Sequence, residues 1–583
     1  MTYLLAQRET MAAAAADVAK TGSVINQARA TAAGRITGVA AAAGDEVSLA
    51  VGTLFNRFGL EYQAMVTQAG AFHAAFAQAL AAAEGSYTQA EAAAANALAG
   101  STAAPVAAVA KAIANDPDIT LVAGGSGNPI PGATYITNLV NNYVTPNFPS
   151  FTLANAQVMY EPNGAYPIYP VNNGIKGLTF DTSVSQGVTI LNNTLVATGP
   201  GLHPLLYPGS PNNVVFTGFS QSCVVASLEM EKLAAMGAAA PTANQLGFVL
   251  LGNPMTPNGG LFTRFPGFTS PSLGVTYYGA TPPNTIYPTV NYTLEYDGFA
   301  DFPKYPLNVL SDLNALAGIY YVHPDYYLIN PQALPPGYQL LTLPTSPGYS
   351  GVTKYEMITV PNLPLLDPVR AIPVIGNPLA DLLQPDLTYL VNWGYGNPAY
   401  GYPTGPADVP TPFGLFPPLG ATTALGGDLI SGTQQGILAA ANDLSAQAAQ
   451  GFPSLSSPSD LWNLASIPSL QTYNPLVALT APQTTASNVI NTLADAFSTA
   501  YATLLPTADN VTALFTALPA YDLTLISDGI SQALNGQVVT GLANALVGPI
   551  AADTALSLII GAGEGLVLLG ATRSIAADLA SLL

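Results

Sequence analysis

Val214-Val215-Phe216-Thr217-Gly218-Phe219-Ser220-Gln221-Ser222-Cys223-Val224 joins an apolar strand run, Val214 to Phe216, to a helical run that continues to Met236. A serine on so sharp a strand-to-helix turn has its hydroxyl lifted above the sheet edge, and the next backbone N–H is free to bind an oxyanion. That is the arrangement of a nucleophile elbow. The pattern Gly-x-Ser-x-small also occurs at Gly529-Ile530-Ser531-Gln532-Ala533, after the alternating run Leu523-Thr524-Leu525-Ile526. The histidines separate the two. There are three, His73, His203 and His323, and the order serine, acid, histidine requires the base to follow the nucleophile. His323 follows Ser220, and no histidine follows Ser531.

Working outward, strand and helix signals alternate. Ile119 to Ala123 reads as a buried strand, Ala133 to Val144 and Ser183 to Leu195 as helices, Phe248 to Leu251 and Val290 to Tyr296 as further strands. Strands alternating with helices predict a mostly parallel sheet with helices on both faces, and functional residues then belong at the carboxyl ends of the strands. Residues 257–289 and 320–420 are dense in Pro, Gly, Tyr and Phe and read as loops and short hairpins, such as Tyr338–Leu343 against Tyr355–Val360, laid over the catalytic face.

A serine attacks an acyl carbon only when a base takes its proton, and the base needs a carboxylate to fix its tautomer. His323 is the base by elimination. Asp297 stands at the end of its strand and is favoured as the acid, with Asp301 four residues further into the loop as the alternative. Asp312 reads as helix-start chemistry instead. The oxyanion hole needs two donors: the Gln221 N–H, and a second from Gly125 or Ser126 in the glycine-rich turn Gly124-Gly125-Ser126-Gly127. That turn lacks the following Lys-Ser/Thr of a phosphate loop.

The flanks differ. Residues 1–98 are alanine-rich and free of proline. Leu4, Met11, Val18 and Ile25 recur every seven residues and Val51, Leu54, Phe58, Tyr62 and Met65 keep helical steps, which predicts a two-helix hairpin turning near Gly34 to Gly44. Residues 99–117 read as a linker, 118–420 as the α/β domain, and 421–583 as an Ala/Leu-rich, mainly helical region. Gly529 to Ala552 carries no charge but is interrupted by Asn535, Gln537, Asn544 and Pro549, and reads as a packed or interfacial helical region, not a span.

Only 8% of the 583 residues are charged and the net charge is −20, which argues against a nucleic-acid partner. Three scattered histidines and the single Cys223 offer no metal cluster, and no cofactor is expected. Cys223 reads as a small core residue.

Gly70-Ala71-Phe72-His73-Ala74-Ala75-Phe76 and Tyr87-Thr88-Gln89-Ala90-Glu91 resemble the PE domain of mycobacteria, with Tyr87 and Glu91 matching the tyrosine-x-x-x-acidic export signal of type VII secretion. Arg8-Glu9 replaces the name-giving Pro-Glu pair. Residues from about 118 to 400 resemble the PE-PPE domain, a serine α/β-hydrolase related to cutinases. That likeness is carried by Gly124-Gly125-Ser126-Gly127-Asn128-Pro129, Gly218 to Ser222, Tyr296-Asp297-Gly298-Phe299-Ala300-Asp301-Phe302-Pro303, and Leu313 to Gly318 leading to His323. The resemblance implies Ser220 as nucleophile, His323 as base, an aspartate between 297 and 301 as orienter, and Ser126 and Gln221 at the oxyanion hole. It further implies an exported carboxylesterase or lipase acting on short to medium acyl esters at the cell envelope or surface. Its helical hairpin would meet a PPE-family protein or export chaperone, and the chain would associate peripherally with envelope lipid. Two rivals share the scaffold: an acyltransferase on envelope lipids, and a noncatalytic surface protein that contacts the host.

Overall fold

The computed structural model describes residues 118–450 apart from breaks at 168–170, 173–174 and 200–201, residues 486–580, and scattered positions between 20 and 56. The chain forms two compact units, 1–116 and 117–583. In the first, the positions described between 20 and 37 are helical, as are 53 and 56. The Asn56 amide clamps the Val39 peptide between them, accepting from its N–H at 2.7 Å and donating to its C=O at 2.9 Å. The helix thus runs past Gly34 to residue 37, and most of the expected second helix lies outside the described residues. His73, Tyr87 and Glu91 lie outside the described residues.

The second unit is built on a seven-stranded sheet. In chain order its strands are β1 (Asp118–Val122), β2 (Ala156–Val158), β3 (Asn213–Phe219), β4 (Leu246–Leu251), β5 (Thr289–Leu294), β6 (Gln339–Thr342) and β7 (Thr353–Thr359). Their spatial order is β6-β7-β5-β4-β3-β1-β2, all parallel except the edge pair β6–β7. β4 and β5 are buried at every position, as a parallel strand covered on both faces must be.

Side chains divide by strand period. Ile119, Leu121, Val214, Phe216, Phe248 and Leu250 face one core. Helices α2 (Phe180–Leu195) and α3 (Gln221–Met236) cover it through Val184, Leu191, Val224 and Met230. The intervening Val122, Val215, Val249 and Leu251 face the other, with Leu139 of α1 (Ala133–Leu139) and Tyr143 beyond it. Val322 and Tyr326, just past α4 (Val309–Tyr321), complete that layer.

Three features depart from the sequence reading. The Gln339–Thr342 and Thr353–Thr359 pair is antiparallel as expected, but it extends the sheet edge and does not lie over the catalytic face, because β7 pairs with β5. The proline-rich stretch holds an 18-residue helix, α5 (Gly376–Trp393), with Pro385 inside it. Against it packs α6 (Leu419–Gln450), where Thr433 Oγ1 donates to Asp386 and Trp393 Nε1 to Thr422. Finally, residue 420 is no boundary between cores. Beyond residue 485 the described helices include α7 (Ala486–Ala502), α8 (Leu504–Thr512), α9 (Leu518–Leu534) and α10 (Val538–Ala580). They place Ala517, Leu518, Tyr521, Leu556 and Ile560 in the same core as Phe216 and Val224. Ser531 is therefore in a helix interior, with no strand before it.

Candidate active site

From β1 the chain moves outward to β2 and then returns to β3 on β1's other side, so a crevice opens at the carboxyl ends of β1 and β3. The turn after β3 is the elbow. Ser220 has φ 57° and ψ −114°, a conformation that costs a non-glycine residue about 1–3 kcal/mol. Its surroundings enforce that geometry. The Ser220 N–H donates to Leu251 O at 2.9 Å and the Cys223 N–H to Ser220 O at 3.0 Å. Ser222 Oγ accepts from the Phe219 N–H at 2.8 Å and donates to Phe219 O at 3.0 Å. A serine at the fifth position thus closes the turn by itself. Cys223 is fully buried, its thiol donating to Gly218 O and Leu251 O.

Ser220 Oγ lies 2.9 Å from His323 Nε2, and His323 Nδ1 lies 2.9 Å from both carboxylate oxygens of Asp297. A carboxylate only accepts, so Nδ1 carries the proton and Nε2 is left to accept from the serine hydroxyl. All three side chains are buried. The imidazole is held between Phe219, stacked at 4.7 Å, and Phe299, edge-on at 4.8 Å. Gly252, at φ 57° after β4, leaves room for this group: a Cβ there would meet His323 Cε1 at 3.0 Å and Tyr326 Cε2 at 2.9 Å.

The Gln221 N–H heads α3 and has no intrahelical acceptor. Its side chain is fixed from both ends, accepting from Ser183 Oγ at 2.9 Å and donating to Gly164 O at 2.7 Å. Across the crevice the Gly124–Pro129 turn is pinned by Asn163. The Asn163 side-chain amide donates to Gly124 O and Asn128 O, both at 3.1 Å, and its backbone carbonyl accepts from the Gly127 N–H at 2.8 Å. Gly125 presses on the Phe219 ring. A cleft of about 500 Å³ runs alongside, lined in part by Gly125, Ser126, Tyr135, Phe219, Pro324 and Tyr327.

A PE-PPE domain model matches residues 152–396, and a PE family model matches residues 4–96. Among proteins of Mycobacterium tuberculosis, the chain is 41% identical to PE family protein PE3 over 443 residues, which is 76% of this chain and 88% of PE3. The chain belongs to the mycobacterial PE family. This PE-family protein is also 42% identical to a protein named Esterase PE16, over 72% of its own length and 73% of the relative. It is 43% identical to an uncharacterized PPE family protein, PPE28, over 80% of its own length and 67% of the relative.

Asp301, the alternative acid, is turned away from His323. Its Oδ2 accepts from the Tyr296 N–H at 3.0 Å, and Arg264 lies near. Burial pushes the Asp301 carboxyl well above the usual range, against the pull of the Tyr296 N–H and the Arg264 charge. Arg264, fully buried, is lowered to about 10 by desolvation and donates to the carbonyls of Phe302 and Thr411. This is a structural cross-tie between loops.

Three contributors to the site escape a reading of the sequence. Tyr326 donates to Asp297 Oδ2 at 2.8 Å while accepting from the Leu294 N–H at 2.8 Å, so it anchors the carboxylate to the end of β5. Its signal was present, since it stands one turn after His323 on the same short 3-10 helix. Asn163 and Ser183 carry no such signal, being ordinary polar residues brought in from remote segments. Glu161 is buried near Tyr135 and Cys223 with neither carboxylate oxygen hydrogen-bonded, and burial pushes it well above the usual carboxyl range. His203 is exposed and away from the constellation.

Proposed function

We propose that this PE-family protein is a serine carboxylesterase or lipase, with Ser220 as nucleophile, His323 as general base and Asp297 as its orienter. The observation that carries this reading is the unbroken contact from Ser220 Oγ through the imidazole to Asp297, at 2.9 Å in each step. Ser220 Oγ forms a bond to the acyl carbon as its proton passes to His323 Nε2, and Asp297 stabilises the imidazolium. The oxyanion that develops is met by the Gln221 N–H and by a donor from Ser126 or Gly125, each worth about 3–4 kcal/mol in such sites. The carbon–oxygen bond to the alcohol breaks, and the alcohol leaves with the proton from His323. Water, activated by the same nitrogen, then releases the acid and restores the serine.

The name of the Esterase PE16 relative supports the reaction class. The apolar wall formed by Phe219, Tyr135 and Tyr327 suits an acyl chain of short to medium length. Export by type VII secretion to the envelope or surface, and a PPE-family partner or export chaperone for the N-terminal unit, belong to the same reading and rest on its PE match.

The test is hydrolysis of p-nitrophenyl esters of increasing acyl length by the full chain beside Ser220→Ala. A loss of about 10³-fold or more, with an unchanged circular dichroism spectrum, is expected. A folded wild-type protein that hydrolyses none of these esters and is not labelled by a fluorophosphonate would overturn the proposal in favour of a noncatalytic scaffold.

A further inference from the structure

Helices α9 and α10, joined through Asn535 to Gln537, form a hairpin built opposite to one designed for water. In water an amphipathic pair turns its large apolar side chains toward its seam. Here the seam is made of small residues. A Cβ on Gly529 would meet the Ala545 nitrogen at 2.5 Å and Gly541 O at 2.7 Å, and one on Gly541 would run into Gly529 O and Ala533. Gly529 and Ala533, and likewise Gly541 and Ala545, stand one turn apart, so the two backbones touch along two matched pairs. Small residues at such spacing are the usual seam between helices packed in lipid.

The large side chains point outward. Leu534 and Val539 are each 83% exposed and Leu546 is 73% exposed, with Ile530, Leu542 and Ile550 continuing the surface. No charged residue occurs from Gly529 to Ala552, and no lysine or arginine from Ala371 to Thr572. Anionic headgroups are recruited by basic side chains, so this surface has nothing to attract them. Asp528, exposed on α9 next to the seam glycine, bounds the apolar tip.

By length and hydropathy α10 could cross a membrane. Its middle is already engaged, because Ala552, Ala555, Leu556 and Ile560 are buried in the core shared with the sheet. The part from Val538 to about Ile550, roughly 20 Å at 1.5 Å per residue, stands clear on one side of that middle. That is enough to enter an interface and too short to span one.

We propose that the α9–α10 tip inserts into the surface of an uncharged lipid phase and holds the protein there. This docking does not depend on Ser220 being catalytic, and its test reads binding alone. The full chain is floated with vesicles of pure phosphatidylcholine and with vesicles in which roughly one third of the lipid is phosphatidylglycerol, beside the triple variant Leu534→Asp, Val539→Asp, Leu546→Asp. The wild type is expected to float with phosphatidylcholine independently of salt and with the phosphatidylglycerol vesicles no better, because a net charge of −20 is repelled by them, and the variant to lose at least about tenfold in bound fraction, with an unchanged melting temperature. In case the triple variant misfolds, Leu534→Trp provides a second readout: its emission, less that of the wild type, shifts to the blue on adding phosphatidylcholine vesicles and is quenched by brominated acyl chains. Failure of the wild type to float, a requirement for phosphatidylglycerol, or an unshifted emission from the Leu534→Trp variant would each overturn the proposal. So would a dimer in sedimentation that the triple variant abolishes while the wild type ignores vesicles.

Discussion

Gly218-Phe219-Ser220-Gln221-Ser222 and Gly529-Ile530-Ser531-Gln532-Ala533 are nearly the same pentapeptide, yet one is a strained turn above a sheet and the other a helix interior. The preceding residues begin the divergence. Val214 to Phe216 is apolar on successive positions and buried on both faces, as a strand paired on both sides within a covered sheet must be. Leu523 to Ile526 alternates over four residues, but in a longer window Leu518, Tyr521, Leu525 and Gly529 keep steps of three and four toward the core, and Leu525 is packed against it. The fifth residue completes it. Ser222 supplies an oxygen that both donates to and accepts from Phe219, whereas Ala533 supplies a small surface for a neighbouring helix. A motif of this kind acquires its chemistry from a clasp and a sheet, not from its own letters.

The comparison is broken most directly by kinetics on both copies. Ser531→Ala should leave kcat/KM within about twofold of wild type, while Asp297→Asn, acting on the first copy through His323, should lower it by about 10⁴-fold as in other triads. A large loss at Ser531 or activity surviving in Asp297→Asn would make the two segments equivalent after all. Tyr326→Phe probes the support behind the elbow alone: removing one donor from Asp297 should reduce kcat by about tenfold with little change in KM, and orphaning the Leu294 N–H should cost about 1–3 kcal/mol of stability. Unchanged kcat with lowered stability would reduce Tyr326 to a packing residue.

The smallest effect concerns the helix that the elbow starts. Burial raises Glu229 to about 7, against the pull of Asn192 and Lys232. Its folded value exceeds its unfolded value, so its contribution is most favourable below about 4.5 and is lost as pH rises through about 7. Glu229→Gln keeps the acceptor used by Asn192 and places its amide where Oε2 has no hydrogen-bond partner. Urea unfolding should show the variant more stable by roughly 1–3 kcal/mol at pH 8 and close to wild type at pH 5. An equal difference at both pH values would assign the effect to packing.

The parallel sheet and the two main layers were legible because buried strands write themselves as apolar runs and amphipathic helices as three- and four-residue steps. His323 was legible because histidine is scarce, and Asp297 because it ends a strand. What stayed hidden depends on remote partners. Tyr166 donates to Asp509 across 343 positions, and Tyr521 to Pro266 across 255, so no local pattern reports that the C-terminal helices complete the core on one face of the sheet. Helix α5 was hidden for another reason. Pro385, inside the helix, suppresses helix propensity, and burial of Ala380 and Val391 against Tyr296 and Leu363 overrides it.

One core holds Ile119, near the start of the second unit, and Ile560, near its end. Synthesis is vectorial, so at roughly 5–20 residues per second the ribosome delivers His323 many seconds before the side chains that seal the far side of the sheet. Until Tyr521 emerges, Phe268 lacks the ring that meets it edge-on at 5.7 Å, and the core that Leu556 and Ile560 join stays incomplete.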